Sequence, residues 1–253
     1  MADAIVGVLH PGEMGAAIGA ALRECDQRVV WASSGRSAAT VERAQSAGLE
    51  DVESTEELAR RCDVVLSVCP PHAAADVGGS MTAFDGIYVD ANAIAPHTSQ
   101  RIGRTVTRYV DGGIIGPPPR TAGTTRLYLS GPEADAVASL FTGTTVDARI
   151  LSDHVGDASA LKMVYAAWTK GTAALLLAIQ NVARASRVEE ALAAEWTLSL
   201  PELSQQASRA AASAATKGWR WVGEMEEIAS TFAAAGEPDG FHRAAANVFR
   251  RSE

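Results

Sequence analysis

Cysteine, aromatic residues and surplus positive charge are all scarce in this sequence, and each shortage removes a class of function. Only three cysteines occur in 253 residues, Cys25, Cys62 and Cys69. Their odd number and the lack of a Cys-x-x-Cys pair argue against a disulfide framework and a zinc site, and a reducing cytoplasm fits them best. The scattered histidines offer no metal-ligand cluster, so no metal is expected. Against 22 Lys and Arg stand 30 Asp and Glu, a formal net charge of −8. A nucleic-acid binder usually shows a basic face, so small molecules are the expected partners. No basic segment precedes the first apolar run, which Pro11 and Glu13 break, so a signal peptide is not expected. The longest apolar stretch, 161–183, carries Lys162, Lys170, Gln180 and Asn181. It is too polar for a membrane span and reads as a core helix.

What is present is a hydrophobic fraction of 47%, enough for one large core or two smaller ones. The stretch that organises the chain is Ala4 to Leu22. Ala4 to Leu9 is a short continuous apolar run with β-branched members, the pattern of a strand covered on both faces. His10-Pro11-Gly12-Glu13-Met14-Gly15 comes next, with Gly19 four residues on. In a dinucleotide-binding turn, glycines let the backbone approach the pyrophosphate and let the helix pack on the strand, while the helix N-terminus offers free N–H groups. His10 stands where the first glycine of Gly-x-Gly-x-x-Gly would be. The position directly after a strand still points to a cofactor turn of His10, Pro11, Gly12, Glu13 and Met14, the alternative being an ordinary strand-turn-helix with no ligand.

Residues 28–32 form the second strand, and the loop at its carboxyl end decides the cofactor. An NAD-binding unit places a carboxylate there for the ribose hydroxyls, whereas an NADP-binding unit needs hydroxyls and a cation for the 2′-phosphate. Ser33-Ser34-Gly35-Arg36-Ser37 has no carboxylate. Arg36 can fork onto phosphate oxygens, and Ser33, Ser34 and Ser37 can donate to them, which predicts NADP(H). The same loop also suits the N-cap of a helix over 38–47, and the two roles are compatible.

Ser54-Thr55-Glu56-Glu57 has capping-box spacing. A strand over 63–68 runs into Cys69-Pro70-Pro71-His72, and one over 87–90 runs into Ala91-Asn92. Ligands of a doubly wound sheet lie beyond the carboxyl ends of its strands, so Cys69, Pro70 and Asn92 should line the cofactor cleft. Pro96 opens a helix. A strand over 109–115 meets the rigid turn Gly116-Pro117-Pro118-Pro119, and strands over 126–130 and 144–149 complete the set. The alternation predicts an α/β fold, with an N-terminal Rossmann-type doubly wound sheet over residues 1–153. A smaller all-helical domain over 154–253 is expected after it. There Asp157 or Ser159 can cap a long helix running through Lys162 toward Ser186, and Pro201, Gly218 and Pro238 punctuate at least three more. Lys162, Tyr165, Ala166 and Thr169 share one face of the long helix. The pattern alone leaves Lys162 as either a rim residue or a group kept for chemistry.

The His-Pro-Gly-Glu-Met-Gly turn, the segment Gly156-Asp157-Ala158-Ser159-Ala160-Leu161-Lys162 and the helical tail resemble the β-hydroxyacid dehydrogenase and 6-phosphogluconate dehydrogenase superfamily over nearly the whole chain. The tail, residues 219–228 and then Gly240-Phe241-His242, is similar to that of a subgroup of NAD(P)-dependent oxidoreductases with a C-terminal domain of unknown function. The resemblance implies that Lys162, matching the lysine of the family's Gly-x-Gly-x-x-x-Lys segment, is the catalytic acid/base, although Ala158 replaces the second glycine. It also implies a homodimer formed through the helical region.

The departures bear on substrate. The family's substrate loop carries Ser-Gly-Gly, whereas this chain has Asp111-Gly112-Gly113-Ile114-Ile115-Gly116-Pro117, with Ile115 in place of the serine. The asparagines that come after the family's lysine are replaced by Tyr165 and Ala166. Two anchors for a hydroxyacid carboxylate are thus missing, so the substrate's identity does not carry over. Gly116, Pro117, Thr169 and His242 are the expected substrate-side residues, and Tyr165 is a candidate second catalytic donor. The expected activity is hydride transfer between NADPH and a small carbonyl or hydroxy compound, with proton exchange at Lys162. Imine reduction on the same architecture is the alternative, as is an NADPH sensor without turnover. The retained lysine favours C–O chemistry, because the related imine reductases usually hold another residue there.

Overall fold

The computed structural model describes residues 4–251. Its first half alternates strand and helix: β1 (Ile5–Val8), α1 (Glu13–Arg23), β2 (Arg28–Trp31), α2 (Ala38–Ser46), β3 (Glu50–Asp51), α3 (Thr55–Arg61), β4 (Val64–Ser67), α4 (Ala74–Gly79), β5 (Ile87–Asp90), α5 (Pro96–Gly103), β6 (Arg108–Ile115), β7 (Thr125–Ser130), α6 (Ala134–Leu140) and β8 (Val146–Ser152). The strands form one sheet in the order β3-β2-β1-β4-β5-β6-β7-β8. This begins with the strand order of dinucleotide-binding folds, whose ligand crevice opens where the order reverses, between β1 and β4. β1 to β6 are parallel. β7 runs antiparallel to β6, because a loop without a crossover helix joins them, and β8 then pairs parallel to β7.

Strand residues alternate between two apolar layers, since successive side chains point to opposite faces. Val6, Val8, Val29, Trp31, Val64, Leu66 and Val89 pack with Ile18, Leu22 and Ala44 of α1 and α2 and with Leu140 of α6. On the other face Val30, Val65, Tyr88 and Tyr109 pack with Leu58 of α3, Ala74 of α4 and Ile102 of α5. The sheet is therefore covered on both sides, which accounts for the continuous apolar strands. Only half of the capping box forms: Ser54 Oγ accepts from Glu57 N–H at 3.1 Å, while the Ser54 N–H donates to Val52 O and the Glu57 carboxylate pairs with Arg60. The edge strand β3 and the short helices α4 and α6 lack a strong periodic signal, and the sequence pattern does not predict them.

The second half is helical: α7 (Asp157–Ala185), α8 (Glu189–Ser199), α9 (Glu202–Ala234) and α10 (Gly240–Arg250). Gly218 does not punctuate, contrary to the sequence expectation: α9 runs straight through it. A buried glycine costs a helix only about 1 kcal/mol relative to alanine. The apolar face of Ala207, Ala210, Ala214, Met225 and Ile228 outweighs that in a 33-residue helix. Trp221 of α9 meets Phe249 of α10 edge-on, with ring centres 5.1 Å apart. Trp196 of α8 packs with Leu176 and Ala207. The chain divides into two compact units, Met1–Lys162 and Met163–Glu253, with the division inside α7.

Candidate functional site

The turn after β1 is shaped by its backbone. Gly12 N–H donates to His10 O at 2.7 Å, and a Cβ on Gly15 would lie 2.6 Å from that same carbonyl, so only glycine fits. Gly12 is the N-cap of α1 and supplies no side-chain cap. The first N–H groups of an 11-residue helix are thus open to an anion. Glu13 is exposed in the first turn, Met14 leans on the core, and Pro11 O accepts from Arg43 Nη1 at 3.3 Å.

Three loops bring Arg36 within electrostatic reach of both His10 and Cys69. Burial pushes the His10 imidazole down to about 4, and the Arg36 charge pushes the same way, so the ring is neutral at pH 7. Its Nδ1 is buried without a hydrogen-bond partner, and so is Arg36 Nε. Burial lowers the Arg36 guanidinium, with the Cys69 side opposing the shift. The Cys69 thiol is itself pushed up to about 12 by burial, as is Cys62, so neither is a thiolate nucleophile at neutral pH. Asn92 ties the neighbouring strand ends together: its Oδ1 accepts from Cys69 N–H at 2.6 Å and its Nδ2 donates to Ser67 Oγ at 3.1 Å. Pro70 stands just before a single 3₁₀ turn, Pro71–Ala73.

In the loop after β2, Gly35 takes φ +72°. Ser34 N–H donates to Glu53 O at 2.8 Å. Ser37 Oγ accepts from Thr40 N–H at 3.4 Å and so caps α2. Ser33 N–H donates to Asp51 Oδ1 at 3.2 Å, so a carboxylate does lie beside this loop, delivered by β3 rather than by residues 33–37. The unpartnered guanidinium nitrogen of Arg36, the exposed Ser34 and Ser37, and the uncapped start of α1 together fit the phosphates of NADP.

Lys162 occupies the second turn of α7 and is half-buried; its Nζ donates to Ile114 O of β6 at 2.7 Å. The helix can come this close because β6 carries Gly113. A Cβ there would sit 2.7 Å from Ala158 O and 3.2 Å from Lys162 Cβ. The first turn of α7 is capped from the sheet. Asp111 Oδ2 accepts from Gly156 N–H at 3.1 Å and Ser159 N–H at 2.8 Å, and Ser130 Oγ accepts from Ala158 N–H at 3.0 Å. Asp111 is fully buried and also accepts from the hydroxyls of Ser99 (2.8 Å), Ser159 (2.5 Å) and Ser130 (3.0 Å).

The remaining expected residues lie in the β6–β7 loop and in the helical unit. Gly116 has φ +129°, and a Cβ there would overlap the Thr124 carbonyl; Pro117 O accepts from Thr125 Oγ1 at 2.5 Å. Both shape the β6–β7 loop. Tyr165 and Thr169 are exposed on the helical unit's part of α7. His242 is buried on α10 against Phe232, with ring centres 4.2 Å apart. Burial lowers its imidazole, with Asp239 opposing. Glu224 is paired with Lys170. Sequence reasoning missed the Asp111–Ser130–Ser159 cluster; the available signal was a lone carboxylate inside an apolar strand.

Comparison with known proteins covers both halves. Residues 5–93 match the model for NADP oxidoreductases described as coenzyme F420-dependent, and residues 183–252 match a domain of unknown function, DUF1932. An uncharacterized 28.5 kDa protein of Methanothermus fervidus is 32% identical over 152 residues, which is 59% of this chain and 59% of that protein. The chain is thus aligned with less than two thirds of that curated relative. A conserved protein of unknown function, described as structurally similar to 3-hydroxyacid dehydrogenases, superposes with a TM-score of 0.73 at 27% identity, covering 98% of this chain and 96% of its own. Mycobacterium tuberculosis 3-hydroxyisobutyrate dehydrogenase, solved with L-serine, gives 0.73 at 14% identity, with 98% and 93% covered. Streptomyces aurantiacus imine reductase gives 0.53 at 19%, with 98% and 93% covered. The chain is thus similar to the NADP oxidoreductase model over residues 5–93 and to DUF1932 over residues 183–252, on a fold similar to that of the 3-hydroxyacid dehydrogenases and imine reductases.

Proposed function

We propose that this protein transfers a hydride between NADPH and a small carbonyl or hydroxy compound, with Lys162 exchanging the proton at the substrate oxygen. The observation that carries the reading is the hydrogen bond from Lys162 Nζ to the Ile114 carbonyl where α7 abuts β6. A group held in one place has the pre-set geometry that proton transfer requires. Bound NADPH supplies the hydride. Arg36, with Ser33, Ser34 and Ser37, grips its 2′-phosphate, and the start of α1 with His10, Pro11, Gly12, Glu13 and Met14 takes the pyrophosphate. Neutral His10 adds no charge there. Cys69, Pro70 and Asn92 border the nicotinamide side, while Tyr165 orients the substrate and Gly116, Pro117, Thr169 and His242 shape its surroundings.

The protein works as a homodimer in a reducing cytoplasm. Val164, Trp168, Leu175 and Val182 recur along one side of α7 and are more than half exposed, an apolar stripe suited to a second copy. Among the described residues no helix is long and apolar enough to cross a membrane. Nicotinamide absorbance, monitored with NADPH and NADH against hydroxyacids, ketoacids, aldehydes and cyclic imines, tests the reading. Turnover of a carbonyl or hydroxy compound with preference for NADPH supports it. Turnover of cyclic imines alone replaces it with C=N reduction, and cofactor binding without turnover of any of them replaces it with a sensor.

A further inference from the structure

We infer that Asp111 is a positioning residue for Lys162, acting through the first turn of α7; this rests on the acid/base reading of Lys162. A helix leaves its first N–H groups without internal partners, and a residue of its own normally caps them. In α7 that task falls to the sheet. Asp111 Oδ2 takes the N–H groups of Gly156 and Ser159, while Ser130 Oγ takes that of Ala158 and donates in turn to Asp111. The other oxygen of Asp111 takes the hydroxyls of Ser99 and Ser159. Five donors converge on one buried carboxylate that sits at the positive end of the helix dipole.

The geometry extends from this anchor to the amine. Ser159 and Lys162 lie three residues apart on α7, and Asp111 and Ile114 three residues apart on β6. The helix and the strand are therefore joined twice, by Ser159 to Asp111 and by Lys162 Nζ to Ile114 O. Gly113, between the two links, brings the backbones into contact. A carboxylate only accepts hydrogen bonds, so an asparagine would turn an N–H₂ toward donors already in place. The helix start must then shift, and the lysine shifts with it.

Asp111→Asn and Ser159→Ala test this in the full-length protein, with Ser159→Thr retaining the hydroxyl. The chain has only three lysines, Lys162, Lys170 and Lys217, so labelling of each by acetic anhydride can be tracked by mass spectrometry. The labelling of Lys162 relative to Lys217 should rise about threefold or more in Asp111→Asn and Ser159→Ala, as an amine loses a hydrogen bond of ordinary strength. It should stay at the wild-type ratio in Ser159→Thr. With a substrate in hand, kcat should fall up to about 100-fold, the scale of a misplaced catalytic group, while the KM for NADPH is unchanged. A variant that is merely less stable would not separate kcat from KM. If Asp111→Asn fails to fold, Ser159→Ala and Ser159→Thr decide alone. An unchanged labelling ratio in the folded variants overturns the proposal. If Lys162→Ala retains activity, the acid/base reading fails, whereas the labelling ratio still reports whether Asp111 sets the amine's position.

Discussion

Asp90 and Asp111 are register partners on adjacent parallel strands, both buried, yet only Asp111 is surrounded by donors. Asp90 Oδ1 accepts from Asn92 N–H at 3.1 Å. Its Oδ2 has no donor in hydrogen-bond geometry, although the Tyr109 hydroxyl lies near enough to draw the carboxyl down slightly. Burial dominates and pushes Asp90 up to about 7, with the neighbouring Asp111 charge adding to the rise.

This gives a stability that depends on pH with a definite sign. An acid whose folded value lies above its unfolded value binds more protons when folded, so stability falls as pH rises from about 4 through about 7. Asp90→Asn removes this penalty, on the order of 4 kcal/mol at full ionisation. Thermal unfolding of the variant and the wild type from pH 5 to 8 should show a difference in Tm that grows in the variant's favour as pH rises. A difference independent of pH would contradict the assigned environment.

Arg36→Ala should weaken NADPH by about tenfold or more, the worth of a charge-assisted bond, and leave NADH untouched. Titration calorimetry with both nucleotides measures it. Equal losses for both would remove the 2′-phosphate from Arg36.

Lys162→Ala should lower kcat by roughly 10²–10⁴-fold, the usual contribution of a general acid/base, while NADPH affinity persists. Steady-state rates on a substrate from the panel, alongside cofactor titration, separate the two effects.

Gly113→Ala places a methyl group 2.7 Å from the Ala158 carbonyl and should cost about 1–3 kcal/mol. Gly12→Ala is the contrast: its Cβ meets nothing within 4 Å and its φ is −66°, so stability should hold. Denaturant titration of both variants reads the difference.

Leu175→Glu puts a charge in the exposed apolar stripe of α7 and should convert a dimer to a monomer, read by sedimentation velocity. A wild-type monomer would instead leave the stripe without this role.

The sheet was legible because it is covered on both faces: strands such as 63–68 and 87–90 appear as unbroken apolar runs between turn residues. β3 escaped because two exposed residues, Glu50 and Asp51, carry no such pattern. Gly218 misled because a local breaker counts for little inside a long helix with a buried face. At the candidate site, His10, Arg36, Cys69 and Asn92 could be found as residues just past strand ends. Of the Asp111 cluster only the lone carboxylate in an apolar strand was visible, since its donors come from α5, β7 and the start of α7, and only the folded sheet brings them together.

The bare backbone contact between Gly113 and Ala158 has a consequence for how such a protein diversifies. With no side chain interposed, there is nothing at that seam to enlarge, shrink or recolour. Mutational tolerance should therefore collapse at 111, 113, 158 and 159 and recover in the loop beyond Gly116, where new specificities would have room to arise.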